Sequence, residues 1–297
     1  GVQDPSGAEP VLLTKRSTSV DLLFEDLLGA DRQRSREARE RLWDMGPSVV
    51  EAAVARFPGR LVVEPFGPEP ILPFPQCGPL LDLLAKFGRD AHPKVAERLE
   101  ATDPVVRYFA TYFYAACFIP EVIPRLMQRL HDEETRICML AARTLFGYRD
   151  RPEFRRVLEH LHGRLASPSA PARRHAAYLV GLFRDVSALP ALIDIVKRKD
   201  RETIEVVRDA LIDITKQDLG WNASKWHTWF EQNRDRSRVL WLIDGLDGKN
   251  PKVRASAAEE LRGIAGQDFG FDADAPRRRR DEAKQRWLQW WEREGRA

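Results

Sequence analysis

The stretch TDPVVRYFATYFYAACF, residues 102–118, is followed by PEVIPRLMQRL, residues 120–130. Apolar residues recur in both segments at helical spacing, which predicts two short helices joined by a tight turn. Pro120 stands near the start of the second helix, where its missing N–H would be unpaired in any case. The two segments therefore predict a helical pair.

This two-helix unit recurs along the chain. Further pairs are SREARERLWDMG with SVVEAAVARF (35–57), EETRICMLAARTLFGY with RPEFRRVLEHLHGRL (133–165), SAPARRHAAYLVGLF with VSALPALIDIVKR (169–198), and RETIEVVRDALIDI with NASKWHTWFEQN (201–233). From residue 103 onward the period is roughly 30 to 36 residues, which is typical of stacked helix pairs. One pair cannot bury its apolar face alone, so the pattern predicts at least three units in a row.

Several of these residues resemble the HEAT-repeat family, in particular its short bacterial type related to bilin-lyase repeats. They are Asp103-Pro104-x-Val106-Arg107, Arg136, Arg173-Arg174 with Ala176-Ala177, and Val186 with Leu189-Pro190-Ala191-Leu192. The resemblance covers about residues 30–265. It implies an all-α, right-handed α-solenoid of stacked antiparallel helix pairs. It is specific to fold and not to function, because the same scaffold serves many unrelated roles.

A proline-rich segment, PGRLVVEPFGPEPILPFPQCGP at residues 58–79, interrupts the repeat. A helix cannot pass through its seven prolines, yet its seven large apolar side chains predict an ordered extended arm packed on the protein. The arm either covers the core of the first repeat or projects as a binding element, with Phe66 and Phe74 as candidate contacts. The predicted organisation is a flexible leader (1–17), a first helical pair (18–58), a proline-rich insertion arm (59–78), HEAT-like repeats (79–234), and a C-terminal repeat with a tryptophan-rich cap (235–297).

A shorter repeat, QDLGW at residues 217–221 and QDFGF at residues 267–271, follows two predicted helices. In each copy the glycine can adopt positive φ to end the helical turn, the aspartate can accept backbone N–H groups, and the aromatic residue is expected to pack against the following helix. The residues of these two turn-and-clamp devices are Asp218, Gly220, Trp221 and Trp229, and Asp268, Gly270, Phe271 and Trp290. Seven of the eight tryptophans lie between residues 221 and 291. They predict a structural cap for the stack, and a groove that stacks bases or a planar ligand is the alternative.

Composition narrows the function classes. The chain has 297 residues, 43% hydrophobic and 31% charged, which is typical of a folded soluble protein. Its net charge of +3 is too small and too dispersed for a concentrated nucleic-acid face. Three cysteines without metal-ligand spacing predict free thiols in a reducing compartment, and no signal peptide or membrane span is recognisable, so we expect a cytoplasmic protein. We expect no catalytic residue, metal or other cofactor.

Basic residues on the predicted second helices are the candidate partner-binding set. They are Arg125, Arg129, Arg155, Arg156, Lys197 and Arg198. Acidic residues interleave with them, which favours a protein partner over a phosphate track. We therefore predict a non-enzymatic scaffold for protein–protein interaction, of open oligomeric state. The alternatives are a nucleic-acid-binding protein on a DNA-glycosylase-like scaffold and a chromophore handler of the bilin-lyase type.

Overall fold

A computed structural model describes residues 19–295 of the chain. Within this range there are sixteen α-helices and no β-strand, which confirms the all-α class. The leader predicted at residues 1–17 lies outside the described residues. The helices are α1 Ser19–Leu28, α2 Arg32–Asp44, α3 Val50–Ala55, α4 Pro79–Phe87, α5 Lys94–Glu97, α6 Pro104–Ala116, α7 Ile123–Arg129, α8 Thr135–Phe146, α9 Phe154–Leu165, α10 Ala170–Leu182, α11 Leu189–Lys197, α12 Ile204–Thr215, α13 Ala223–Asn233, α14 Arg238–Gly245, α15 Pro251–Ala265 and α16 Arg277–Trp290.

The chain divides into two compact units, Gly1–Tyr148 and Arg149–Ala297. In the first unit, α2 packs against α1 and α4, and α6 packs against α8. Apolar spacing along α2 buries Ala38 and Leu42, as the sequence predicts. Met45, the next residue of that stripe, is 44% exposed because the helix ends at Asp44.

The proline-rich arm belongs to the first unit, but the packing predicted from its seven large apolar side chains is only partly met. Phe74 is buried, Val62 and Leu72 are 58% and 40% exposed, and the other four are half-buried. The arm has no regular structure before a short 3-10 turn at Phe74–Cys77. Its two ends are joined by a hydrogen bond of 2.9 Å from the Val62 N–H to the Cys77 carbonyl. Tyr112 of α6 donates to the Leu72 carbonyl at 2.8 Å, and Arg136 of α8 donates to two carbonyls of the arm. The arm is therefore attached to both neighbouring helices.

In the second unit the helices contact one another in two series. In one series α10 contacts α12, which contacts α14, and in the other α9 contacts α11, which contacts α13. Of these, α10 and α12 are first helices and α9, α11 and α13 are second helices of predicted pairs, whereas α14 belongs to no predicted pair. Gly181 lets α10 and α12 approach, because a Cβ there would lie 2.9 Å from the Cα of Ala210. The two series are linked where α10 meets α9 and where α11 meets α12.

Three first helices, α6, α10 and α15, begin with the same arginine clamp. Each has a capping Asp, Ser or Asn, a proline at the first or second helical position, and an arginine at the fourth. The arginines are Arg107, Arg173 and Arg254, and one guanidinium nitrogen of each donates to the carbonyls five and six residues earlier, at 2.7 to 3.1 Å. The Nε–H of each binds a later loop, at Asp132 after α7, at Asp200 after α11, or at the Ala273 carbonyl after α15. The clamp thus fixes each helix between two loops.

Candidate functional site

The six basic residues predicted to bind a partner fall in both units. In the first unit, Arg125 on α7 is exposed, whereas Arg129 is half-buried and pairs with Asp132 at 2.8 Å. Asp132 also accepts two hydrogen bonds from Arg107, and its side chain is almost completely buried. Burial alone would raise the pKa of Asp132, but the hydrogen bond and charge of Arg107 lower it below its usual value. Arg129 is therefore part of the arginine clamp of α6, and Arg125 remains available at the surface.

In the second unit, the other four basic residues lie on α9 and at the C-terminal end of α11, where Arg198 directly follows the last helical residue; α9 and α11 contact each other. Arg155 pairs with Glu159 one turn away at 3.0 Å, and Arg198 pairs with Asp194 at 3.0 Å. These are exposed pairs within single helices, which contribute little to stability. By contrast, Arg156 and Lys197 are exposed and have no ion pair within residues 19–295. They are two cations that a partner can reach.

The two aromatic residues of the arm have different environments. Phe74 is 2% exposed and packs edge-on against Tyr112 and Phe113 of α6. Phe66 is half-buried and meets Tyr108 of α6 at a centroid distance of 5.7 Å. Phe74 is thus a core residue that presents no surface to a partner, because α6 covers its ring. Only Phe66 keeps an accessible edge.

The two Gln-Asp turns have the predicted backbone, with one correction. Gly220 and Gly270 have φ of 62° and 72°. Their N–H groups donate to the side chains of Asp218 and Asp268 at 3.0 and 2.8 Å. The glycines, however, do not end the preceding helices. Those helices end four residues earlier, at left-handed Lys216 and Gly266.

The aromatic residues that follow the two turns have different roles. Trp221 is 52% exposed, and the guanidinium of Arg208 lies 4.4 Å from its ring centre. The prediction that Trp221 packs on the following helix is therefore wrong, because its ring is covered by Arg208 of the preceding helix. Arg208 also forms an ion pair with Asp218, with 2.7 Å between the guanidinium nitrogen and the carboxylate oxygen. Phe271 is buried in the C-terminal core with α14, α15 and α16. The second copy alone meets the prediction.

Tryptophans form two separate packed groups in the second unit. Trp226 and Trp241 are buried on either side of half-buried Trp229, which meets them at 6.4 and 5.0 Å. The indole N–H of Trp226 donates to the Gly220 carbonyl at 2.9 Å, which joins the turn to α13. In the second group, Trp287 and Trp290 pack at 5.4 Å in the C-terminal core. Trp290 is structural, and Trp229 borders a shallow groove with Lys225, Thr228 and Gln232.

A partly buried ion cluster in the second unit, in which only Lys216 is fully buried, is absent from the sequence-based predictions. The Glu260 carboxylate on α15 forms ion pairs with Lys216 at 2.8 Å, Arg184 at 2.8 Å and Arg238 at 2.7 Å. The Lys216 ammonium also donates to the Ser256 hydroxyl at 2.9 Å, and its side chain is 1% exposed. The cluster joins the ends of α10 and α12 to α14 and α15. One sequence signal could have indicated the cluster. When ITKQD (214–218) is aligned with IAGQD (264–268), the charged Lys216 stands where the second copy has Gly266.

The pKa values in this cluster are shifted by burial and by the partners. Burial alone would raise the pKa of Glu260, but the hydrogen bond and charge of Arg238, with the charge of Lys216, lower it to about 2. Burial lowers the pKa of the Lys216 ammonium, which the charge of Glu260 partly opposes. A buried lysine of lowered pKa is also a candidate nucleophile. Here its ammonium is held by a carboxylate and a hydroxyl, so we assign it a structural role.

His162, Asp185 and Ser187 meet in an arrangement that differs from a catalytic triad. A triad needs histidine between the nucleophile and the acid. In this protein Asp185 is central: it meets His162 Nε2 at 2.5 Å and accepts from the Ser187 hydroxyl at 2.5 Å. It also caps the turn by accepting the Ser187 N–H at 3.0 Å. The Ser187 hydroxyl also lies 3.5 Å from His162 Nε2, but its short hydrogen bond is to Asp185, and we therefore interpret the group as a helix cap.

Within residues 19–295, no group of three or more His, Cys, Asp or Glu side chains is placed to hold a metal ion. Cys77, Cys117 and Cys138 are free thiols, and the first and last are buried. Burial raises the pKa of Cys77 to about 11. Cys77 and Cys138 are therefore small core side chains, and Cys117 is half-buried. No helix of the described residues combines the length and apolar character needed to cross a bilayer.

Comparison with known proteins gives little further information. No profile of a known protein family matches the chain, and no curated protein matches it. The chain is similar to three engineered proteins whose crystal structures come from the Northeast Structural Genomics Consortium, each 17% identical to it, with TM-scores of 0.31, 0.33 and 0.33. The matches cover 84%, 84% and 92% of this chain and 98%, 100% and 72% of those proteins. Likeness at this level carries no functional information.

Proposed function

We propose that this chain is a right-handed α-solenoid of HEAT type and a non-enzymatic scaffold that binds a protein partner. The architecture is supported by the second unit, where the first helices α10 and α12 contact each other and the second helices α9, α11 and α13 contact in that order. The recurrent arginine clamp supports it as well, because one local device starts three first helices. Repetition of this kind is the expected property of stacked helix pairs.

The observation that carries the function is the surface of α9 and α11. Arg156 and Lys197 are exposed there without ion pairs inside residues 19–295, and each is next to an arginine paired to a carboxylate of its own helix. A surface of interleaved charges suits a protein whose charges complement both signs. A nucleic-acid backbone would instead meet the acidic members of this surface.

Site-specific photocrosslinking in cells tests the proposal. A photoreactive amino acid replaces Lys197 on α11, and in a matched control it replaces Glu205, an exposed residue of the first helix α12. We expect one defined protein adduct from position 197 that disappears when Arg156→Glu is added, and no such adduct from position 205. Equal labelling at both positions, or none at 197, would contradict the proposal.

The two alternative functions have separate tests. Binding to duplex DNA that weakens steeply between low and physiological salt would indicate phosphate contacts. A shift of the absorption spectrum on mixing with bilin would indicate a chromophore handler. Either result, in the absence of a protein adduct at position 197, would replace the scaffold proposal.

A further inference from the structure

A pocket of about 280 Å³ lies in the first unit, where α2 meets the base of the proline-rich arm. Arg32, Ser35, Arg36 and Arg39 of α2 line it together with Arg60 from the arm. The arginines are thus the dominant polar groups of the pocket. Neither the predicted partner-binding set nor the proposed scaffold function makes use of them.

The sequence explains why these side chains share one pocket. On α2, positions 32, 35, 36 and 39 are spaced as i, i+3, i+4 and i+7, so they lie along one face of the helix. Arg60 is brought to that face by the closure of the arm, in which its guanidinium donates to the Gly29 carbonyl at 2.5 Å. A Cβ on Gly78 would lie 2.3 Å from the Arg60 carbonyl oxygen, so the two ends of the arm close only with glycine there.

The charge of the pocket is not balanced by its neighbours. Arg39 pairs with Asp82 at 2.5 Å, and Arg60 is bonded to a neutral carbonyl. Neither Arg32 nor Arg36 has an ion pair within residues 19–295. The Nε–H of Arg39 is buried and has no hydrogen-bond partner in the described part of the chain. Four guanidinium groups therefore face one carboxylate, and one buried donor is unused.

We propose that this pocket binds a small multivalent oxyanion. The planar guanidinium fork matches phosphate and carboxylate oxygens, and charge-assisted bonds of this kind are stronger than neutral ones. An anion would relieve the repulsion among the arginines. The volume is near the lower end of the range for ligand pockets, roughly 300 to 1,000 Å³. It suits a phosphate ester, a pyrophosphate or a tricarboxylate, and it is too small for a dinucleotide.

Calorimetric titration of the full chain at low salt tests this, with inorganic pyrophosphate and citrate as the two probes. Arg36→Gln removes one exposed, unpaired pocket cation without breaking a contact in the described residues. Arg41→Gln is the matched control, because Arg41 is an exposed arginine of the same helix that does not line the pocket. We expect at least one probe to bind the unaltered chain, with affinity about tenfold or more weaker in Arg36→Gln. Binding to Arg41→Gln should stay within about twofold of the unaltered chain, because the lost charge is outside the pocket.

A second readout locates the bound anion. In ¹H–¹⁵N spectra of arginine side chains, the Arg39 Nε resonance should shift on addition of the bound probe. Preference for pyrophosphate over citrate identifies a phosphate ligand, and the reverse preference identifies a carboxylate ligand. The inference is overturned if neither probe binds, if both variants lose affinity equally, or if the Arg39 resonance does not move. This outcome is independent of the scaffold proposal, which concerns the second unit.

Discussion

The ion cluster around Glu260 gives the sharpest prediction for stability. Glu260→Gln removes the only carboxylate that Lys216 contacts within 4 Å in the described residues, and the ammonium would then be buried without a counter-ion. Breaking a buried pair from one side costs about 3 to 5 kcal/mol. The pKa gives a consistent figure, because lowering the pKa of Glu260 from 4.5 to about 2 corresponds to about 3 kcal/mol at neutral pH.

The pH dependence of this effect has a definite sign. Because the pKa of Glu260 is lower in the folded state, its stabilisation is fully present above about pH 4.5 and is lost as pH falls through about 2. The difference in unfolding free energy between the unaltered chain and Glu260→Gln should therefore be about 3 kcal/mol at pH 6.5. At pH 3 it should be about half of that.

Urea unfolding followed by tryptophan fluorescence is the appropriate assay, since seven of the eight tryptophans belong to the second unit. Glu259→Gln is the matched control, because Glu259 is its exposed neighbour on α15. The control should change the unfolding free energy by less than about 0.5 kcal/mol. A Glu260→Gln effect below about 1 kcal/mol at pH 6.5, or one that is constant between pH 6.5 and 3, would refute the reasoning.

Three further predictions concern the turns, the arm and the clamp. Gly270→Val should lower the free energy of unfolding by about 1 to 3 kcal/mol, because φ at this position is 72°. Hydrogen exchange should accelerate from about residue 235 onward while residues 104–147 stay protected, and uniform acceleration would argue against separate units. The arm at residues 58–79 should resist limited proteolysis, and early cleavage of the unaltered arm would contradict its attachment. Arg136→Ala removes two hydrogen bonds to the arm and should make the arm the first cleavage site within residues 19–295. Arg254→Lys should destabilise the C-terminal core by about 1 to 3 kcal/mol, because one ammonium cannot reproduce a guanidinium fork that contacts three carbonyls. Urea unfolding measures this, and an unchanged unfolding midpoint would mean that the clamp contributes little to stability.

Helix positions were predictable because they depend on local spacing. The segment that begins at Asp103 has its cap, its proline and its apolar period within one short stretch, and α6 forms there. The same holds for the positive φ of Gly220 and Gly270, since their Gln-Asp turns form within a few residues. Such features need no information about distant parts of the chain.

Partners far apart in sequence were not predictable in this way. Lys216 and Ser256 are 40 residues apart, and no periodicity relates them. A proline-rich backbone has no fixed side-chain period. The order of apolar and polar residues along the arm therefore could not determine that Phe74 is buried while Phe66 keeps an exposed edge. The arginine pocket depends on arm closure, which brings Arg60 back to α2 and requires Gly78.

The arginine clamp has a consequence for how such a chain can change over time. One half of each clamp is internal, because the arginine binds carbonyls five and six residues before it. The other half accepts either a carboxylate, as at Asp132 and Asp200, or a plain backbone carbonyl, as at Ala273. The contact with the later loop therefore does not require a particular side chain. A helical pair carrying its own capping residue, proline and arginine can be duplicated or exchanged between positions, and the loop it meets need supply only an oxygen atom.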